Sequence, residues 1–94
     1  MNTVSSKAII TVIGADAVGI IAKVSGRCSE YGVNILDITQ KVFETTFAMI
    51  MLVEIDSLAV KFADFADKLA ALGKEKGLVI SAVHEDIFNT MHHI

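Results

Sequence analysis

The sequence predicts an α+β domain in the order βαββαβ. Three observations predict it: four short segments rich in apolar and β-branched residues, two stretches whose apolar residues recur every three or four positions, and glycines at several of the junctions between them. A chain of 94 residues suits a single domain spanning 1–94.

The first strand is Lys7 to Ile13, KAIITVI, apolar on both alternating faces as a central strand requires. Gly14-Ala15-Asp16 breaks it, and Asp16 is the N-cap expected for a helix starting near Val18 or Gly19. Ile21, Val24, Cys28 and Tyr31 share one face of that helix, and Gly32 supplies a left-handed stop. Val33 to Phe43 is the second strand. Its Leu36, Ile38 and Val42 oppose Asp37, Thr39 and Lys41, and one polar face marks an edge strand or one lining a site. Glu44-Thr45 is short enough for a hairpin turn into a third strand, Thr46 to Ile55, apolar on both faces.

Asp56 or Ser57 is the cap expected for the second helix, with Leu58, Phe62, Phe65, Leu69 and Leu72 as its apolar stripe. Gly73 and Gly77 are expected to end it. Leu78 to His84 is the fourth strand. Ile87, Met91 and Ile94 then stand at helical spacing, as in a short terminal helix. This order is that of the ferredoxin-like fold: an antiparallel four-stranded sheet with strands one and three central and two helices on one face. The other face is expected to show part of the set Ile9, Thr11, Ile13, Met49, Met51 and Val53, depending on register.

Composition narrows the function. Apolar residues make up 53% of the chain, more than a small domain buries by itself, so some are expected to face a partner subunit. Net charge is −3 with no block of Lys or Arg, which argues against nucleic acid. The longest apolar run, Phe47 to Val53, falls short of the ~20 residues of a membrane helix. A single cysteine and an N-terminus unlike a signal peptide point to the cytoplasm.

The most specific stretch is Val12 to Gln40, VIGADAVGIIAKVSGRCSEYGVNILDITQ. A strand ending in Gly14 before a helix near Gly19 aims free backbone N–H groups into the turn, at the positive end of the helix dipole, where a carboxylate is favoured. Glycines 14 and 19 allow close approach to the backbone, and Asn34 offers both a donor and an acceptor. The elements Gly14-x-Asp16-x-x-Gly19-Ile20, Val24-Ser25 and Gly32-x-Asn34-Ile35, followed by Asp37 and Gln40, resemble the amino-acid-binding regulatory modules called ACT domains. The variant most resembled is that of glycine-cleavage regulators, formyltetrahydrofolate deformylases and small stand-alone members, whose tails the C-terminal IFNTMHHI also resembles.

The resemblance implies a homodimer that binds an amino acid or related metabolite between subunits and modulates a partner enzyme or a second ACT protein. Gly14, Ala15, Asp16, Val18, Gly19 and Ile20 of one chain would hold the ligand, with Asn34 and Ile35 reaching it from the neighbour. Two departures stand out. Asp16 lies where some amino-acid-binding members have Asn, and would repel a carboxylate while attracting an ammonium. Val18 lies where many have Pro.

No pattern for catalysis competes. Cys28 sits on an apolar helical stripe, as a core residue does. His84, His92 and His93 have no partner at recognised metal-ligand spacing. Asp64 and Asp67, and Glu85 and Asp86, read as solvated and cap positions rather than a catalytic pair. The sequence holds no P-loop or G-x-G-x-x-G, so neither an enzyme nor a cofactor is expected. A small acylphosphatase-type enzyme would want a basic residue in the first loop, which has Asp16 instead. The rival from another class is an interaction module whose sheet edge and bare face dock on a protein, with a vestigial ligand site.

Overall fold

The computed structural model describes residues 6–15 and 18–91. Its elements are β1 (Lys7–Gly14), α1 (Ile20–Glu30), β2 (Asn34–Phe43), β3 (Thr46–Glu54), α2 (Phe62–Lys76), β4 (Val79–His84) and α3 (Glu85–Met91). The strands form one antiparallel sheet in the order β2-β3-β1-β4, the ferredoxin-like arrangement with β1 and β3 at the centre. Both central strands are apolar on their two faces, one covered by the helices and the other open.

Register decides which side chains meet the helices. Thr11 pairs with Ile50 and Val12 with Met49, so Ala8, Ile10 and Val12 share a face with Met49, Met51 and Val53. That face is buried under Ile20, Val24 and Cys28 of α1 and Phe65, Leu69 and Leu72 of α2. Tyr31 meets Phe65 edge-on, with ring centroids 6.0 Å apart. Among the described residues no polar or charged side chain is buried, so the core is purely apolar.

The register also resolves the open face. Of the six residues from which part was expected there, Ile9, Thr11 and Ile13 face away from the helices, whereas Met49, Met51 and Val53 lie in the core. Their places are taken by Ala48, Ile50 and Leu52. Ile13, Ile50 and Val79 are exposed, an apolar surface as the composition anticipated. Thr11 and Ser81 share a hydroxyl–hydroxyl hydrogen bond of 2.7 Å across β1 and β4.

Several boundaries differ from the sequence expectation. The N-cap position of α1 is Gly19 rather than Asp16, and residues 16 and 17 lie outside the described residues. Helix α2 starts at Phe62 after Lys61, not behind Asp56 or Ser57. The intervening chain is tied elsewhere: Asp56 accepts from the Ser6 N–H at 2.7 Å, Leu58 N–H donates to Ile55 O, and Ala59 N–H donates to Tyr31 O. These bonds hold the loop against the α1–β2 junction, and Leu58 packs on the core from it. Gly73 does not end α2 but lies buried within it, because Leu78 O and Ile80 approach too closely for a Cβ; Gly77, with φ 72°, is the left-handed cap. Finally, β2 and β4 start one residue late and β3 stops one early. Met91 ends α3, and Ile94, expected on its stripe, lies outside the described residues.

Candidate functional site

The β1–α1 turn is built by two glycines with different jobs. At Gly14, the last residue of β1 and paired with Phe47, a Cβ would collide with the Leu78 side chain. Its missing side chain makes room for the core, not for a ligand. At Gly19 the backbone is left-handed (φ 74°), and a Cβ would meet nothing within 4 Å. Gly19 is therefore the position where something from outside can approach the chain.

Behind Gly19, no side chain among the described residues caps α1, and its first turn holds no acidic residue. Its first intrahelical bond runs from Lys23 N–H to Gly19 O, at 3.2 Å. The N–H groups of Ile20, Ile21 and Ala22 precede that bond, have no intrahelical acceptor and stand at the positive end of the helix dipole. Ala15 is exposed and Val18 is 90% exposed, whereas the Ile20 side chain is buried in the core. Ile20 can thus offer the turn only its backbone.

Asn34 and Ile35 are elsewhere. Asn34 is exposed and pairs with Glu54, at the end of β3 opposite to Phe47, which pairs with Gly14. From Phe47 to Glu54 is seven steps along β3, or ~23 Å at ~3.3 Å per residue. Ile35 is half-buried and packed against the core. One chain therefore brings Gly14, Ala15, Val18, Gly19 and Ile20 together and holds Asn34 and Ile35 at the far end of the sheet.

The other candidates are placed as follows. Cys28 is buried, and burial pushes its thiol up to about 11, so it is held as the unreactive thiol. The His84 ring lies 4.2 Å from the Phe62 ring, a packing contact; His92 and His93 fall outside the described residues. No cluster of three His, Cys, Asp or Glu that could hold a metal occurs among the described residues. No described helix is long and apolar enough to cross a membrane. Sequence reasoning missed the apolar rim around the Gly14 end, where Val42, Phe43 and Val79 are exposed. Its signal, alternation within strands, was visible, but the end of the sheet each strand contributes is known only from the pairing.

Comparison with known proteins agrees with this architecture. A family model described as the ACT domain matches residues 6–83. A UPF0237 protein of Methanocaldococcus jannaschii is 44% identical over 89 residues, covering 95% of this chain and 99% of the relative. An ACT domain protein from Streptococcus pneumoniae superposes with a TM-score of 0.78 at 38% identity, covering 90% of this chain and 96% of that one. A putative glycine cleavage system transcriptional repressor shares the fold, with a TM-score of 0.68 at 22% identity, over 87% of this chain and 47% of its own.

Proposed function

We propose, from the premise that the chain belongs to the ACT domain family, that it is a regulatory protein binding an amino acid or related small metabolite, not an enzyme. The observation that carries this reading is the N-terminus of α1 behind Gly19, open to approach, with no side-chain cap among the described residues and no acidic side chain in its first turn. A ligand carboxylate is favoured there by N–H groups that have no intrahelical acceptor and by the helix dipole. The glycine cleavage repressor with the same fold supports a regulatory setting, since it is itself described as a regulator.

The site is completed by a second chain. Since Asn34 and Gly14 stand at opposite ends of one subunit's sheet, ~23 Å apart along the strand direction alone, both can serve one ligand only when another copy supplies Asn34. A copy running antiparallel along the edge strand β2 brings its Asn34 to the Val42–Phe43 end, the end at which Gly14 closes β1. A cytoplasmic homodimer of this kind couples ligand to shape: the ligand favours the dimer geometry that assembles its site, and a partner enzyme or second ACT protein reads the shifted population.

Thermal unfolding against a millimolar panel of amino acids tests this. A ligand at one hundred times its dissociation constant adds ~2.7 kcal/mol, and each kcal/mol moves the midpoint of a domain this size by ~4–8 °C. A selective rise with one or two amino acids is expected, and its loss in Gly19→Trp and Asn34→Ala. An undiminished shift in both variants would remove the site from this turn.

The exposed Ile13, Ile50 and Val79 on the open face favour one rival, an interaction module whose ligand site is vestigial. No shift across the panel, with partner binding indifferent to Asn34→Ala, would decide for it.

A further inference from the structure

We propose that β2 carries its own address: its charges and apolar residues are arranged to pair with β2 of a second copy in one register, about a two-fold axis at Thr39. This rests on the dimer reading above and goes beyond it in naming the residues that select the partner and fix the alignment. β2 is an edge strand with β3 as its sheet neighbour, and its outer edge presents backbone donors and acceptors for another strand. Asp37, Thr39 and Lys41 are exposed and pair with Leu52, Ile50 and Ala48, which places all three on the open face.

Asp37 and Lys41 stand two residues either side of Thr39. In an antiparallel pair centred on Thr39, Asp37 therefore faces Lys41 of the second copy, and Lys41 faces its Asp37, giving two cross-strand pairs of opposite charge. Leu36, at the bulge that shifts the β2–β3 register between Ile35 and Asp37, and Val42 are 43% and 66% exposed in the single chain and flank these pairs with apolar surface. Moving the axis one residue either way puts Asp37 opposite Thr39 or Phe43 and forms no ion pair. Registers with an odd offset place open-face residues against helix-face residues, so the helix layers of the two copies would fall on opposite sides.

The groups are available. Lys41 Nζ lies 5.3 Å above the Phe43 ring, a contact made from the open face, and the only hydrogen bond described for the Asp37 carboxylate is from the neighbouring Ile38 N–H at 2.9 Å. Neither charge is buried by its own chain. The opposite edge carries no such device: β4 reads VISAV from Val79 to Val83, with no charged residue to set a register. An uncharged or differently charged strand from another protein would leave Asp37 and Lys41 of this chain unpaired, so the edge favours self-recognition over general strand capture.

Sedimentation equilibrium of the full chain, with and without amino acids, gives the test. Wild type is expected to dimerise. Asp37→Lys and Lys41→Asp, each placing four like charges across the seam, are expected to weaken self-association by ~30-fold or more, with unchanged circular dichroism because both positions are exposed. Two rescues are specific to this register. The double swap Asp37→Lys/Lys41→Asp restores the homodimer, and mixing the two single variants yields a heterodimer that neither forms with itself. Thr39→Cys, at the axis, is expected to oxidise to an interchain disulfide while buried Cys28 stays reduced. Single variants that dimerise like wild type would overturn the register while leaving a ligand-bridged dimer standing. A wild type that stays monomeric at every concentration, with and without amino acids that raise its melting midpoint, would overturn the dimer itself.

Discussion

At the scale of single residues, neighbouring glycines of one turn answer to opposite constraints. Gly14 is a packing glycine, with Leu78 occupying the space of its missing side chain. Gly14→Ala is expected to destabilise the fold by ~1–3 kcal/mol, as overpacking does, in urea unfolding. Gly19→Ala has open space around it and should lose only the ~1–2 kcal/mol of a left-handed L-residue. From the sequence the two were alike, because both are glycines before a helix. Cys28 shows the same dependence on surroundings. Its thiol, raised from 9.0 to about 11 by burial, should resist alkylation at pH 8 and react once urea unfolds the chain. Between pH 9 and about 11 the unfolded thiol loses its proton while the folded one keeps it. Stability is therefore expected to fall as pH rises through that window, and Cys28→Ala should remove this component.

At the scale of elements, helices and strands were legible where periodicity was long, and less so where the chain ends were tied by distant partners. The apolar stripe Phe65–Leu69–Leu72 identified α2 correctly, but its start was displaced to Phe62. Asp56, a good cap by type, is engaged by Ser6 fifty positions away. Gly26, by contrast, is exposed in the interior of α1 with nothing within 4 Å of its Cβ position. Gly26→Ala should stabilise the domain by ~0.5–1 kcal/mol, raising the urea midpoint without changing the slope. No packing reason in the single chain keeps a glycine there.

At the scale of the whole molecule, the sheet places the two halves of the candidate site at opposite ends, and on the proposed reading that separation makes assembly a condition of binding. The amino-acid panel and the charge-swapped β2 variants address this level. The first reads stabilisation of whatever species binds, and the second reads whether that species is a register-locked pair. If both hold, ligand and dimer are linked: what strengthens the β2 seam also strengthens ligand binding, by the same factor in each direction.

The sequence by itself determined the order of elements, the central and edge strands and the glycine turn ahead of α1. These follow from local propensity and periodicity, which act over a few neighbouring residues. The resemblance carried by Gly14 to Gly19 and Gly32 to Ile35 also lay in the sequence, and it agrees with the family match over residues 6–83. Only the tertiary structure decided that Met49, Met51 and Val53 are core while Ile50 is surface. A strand apolar on both faces holds no information on which face the helices cover; pairing Thr11 with Ile50 supplies it. The structure likewise separated Gly14 from Gly19 in role, sent the Ile20 side chain into the core, and set Asn34 across the sheet from the turn. Each of these depends on a contact between residues far apart in the chain, and such contacts exist only once the sheet has closed.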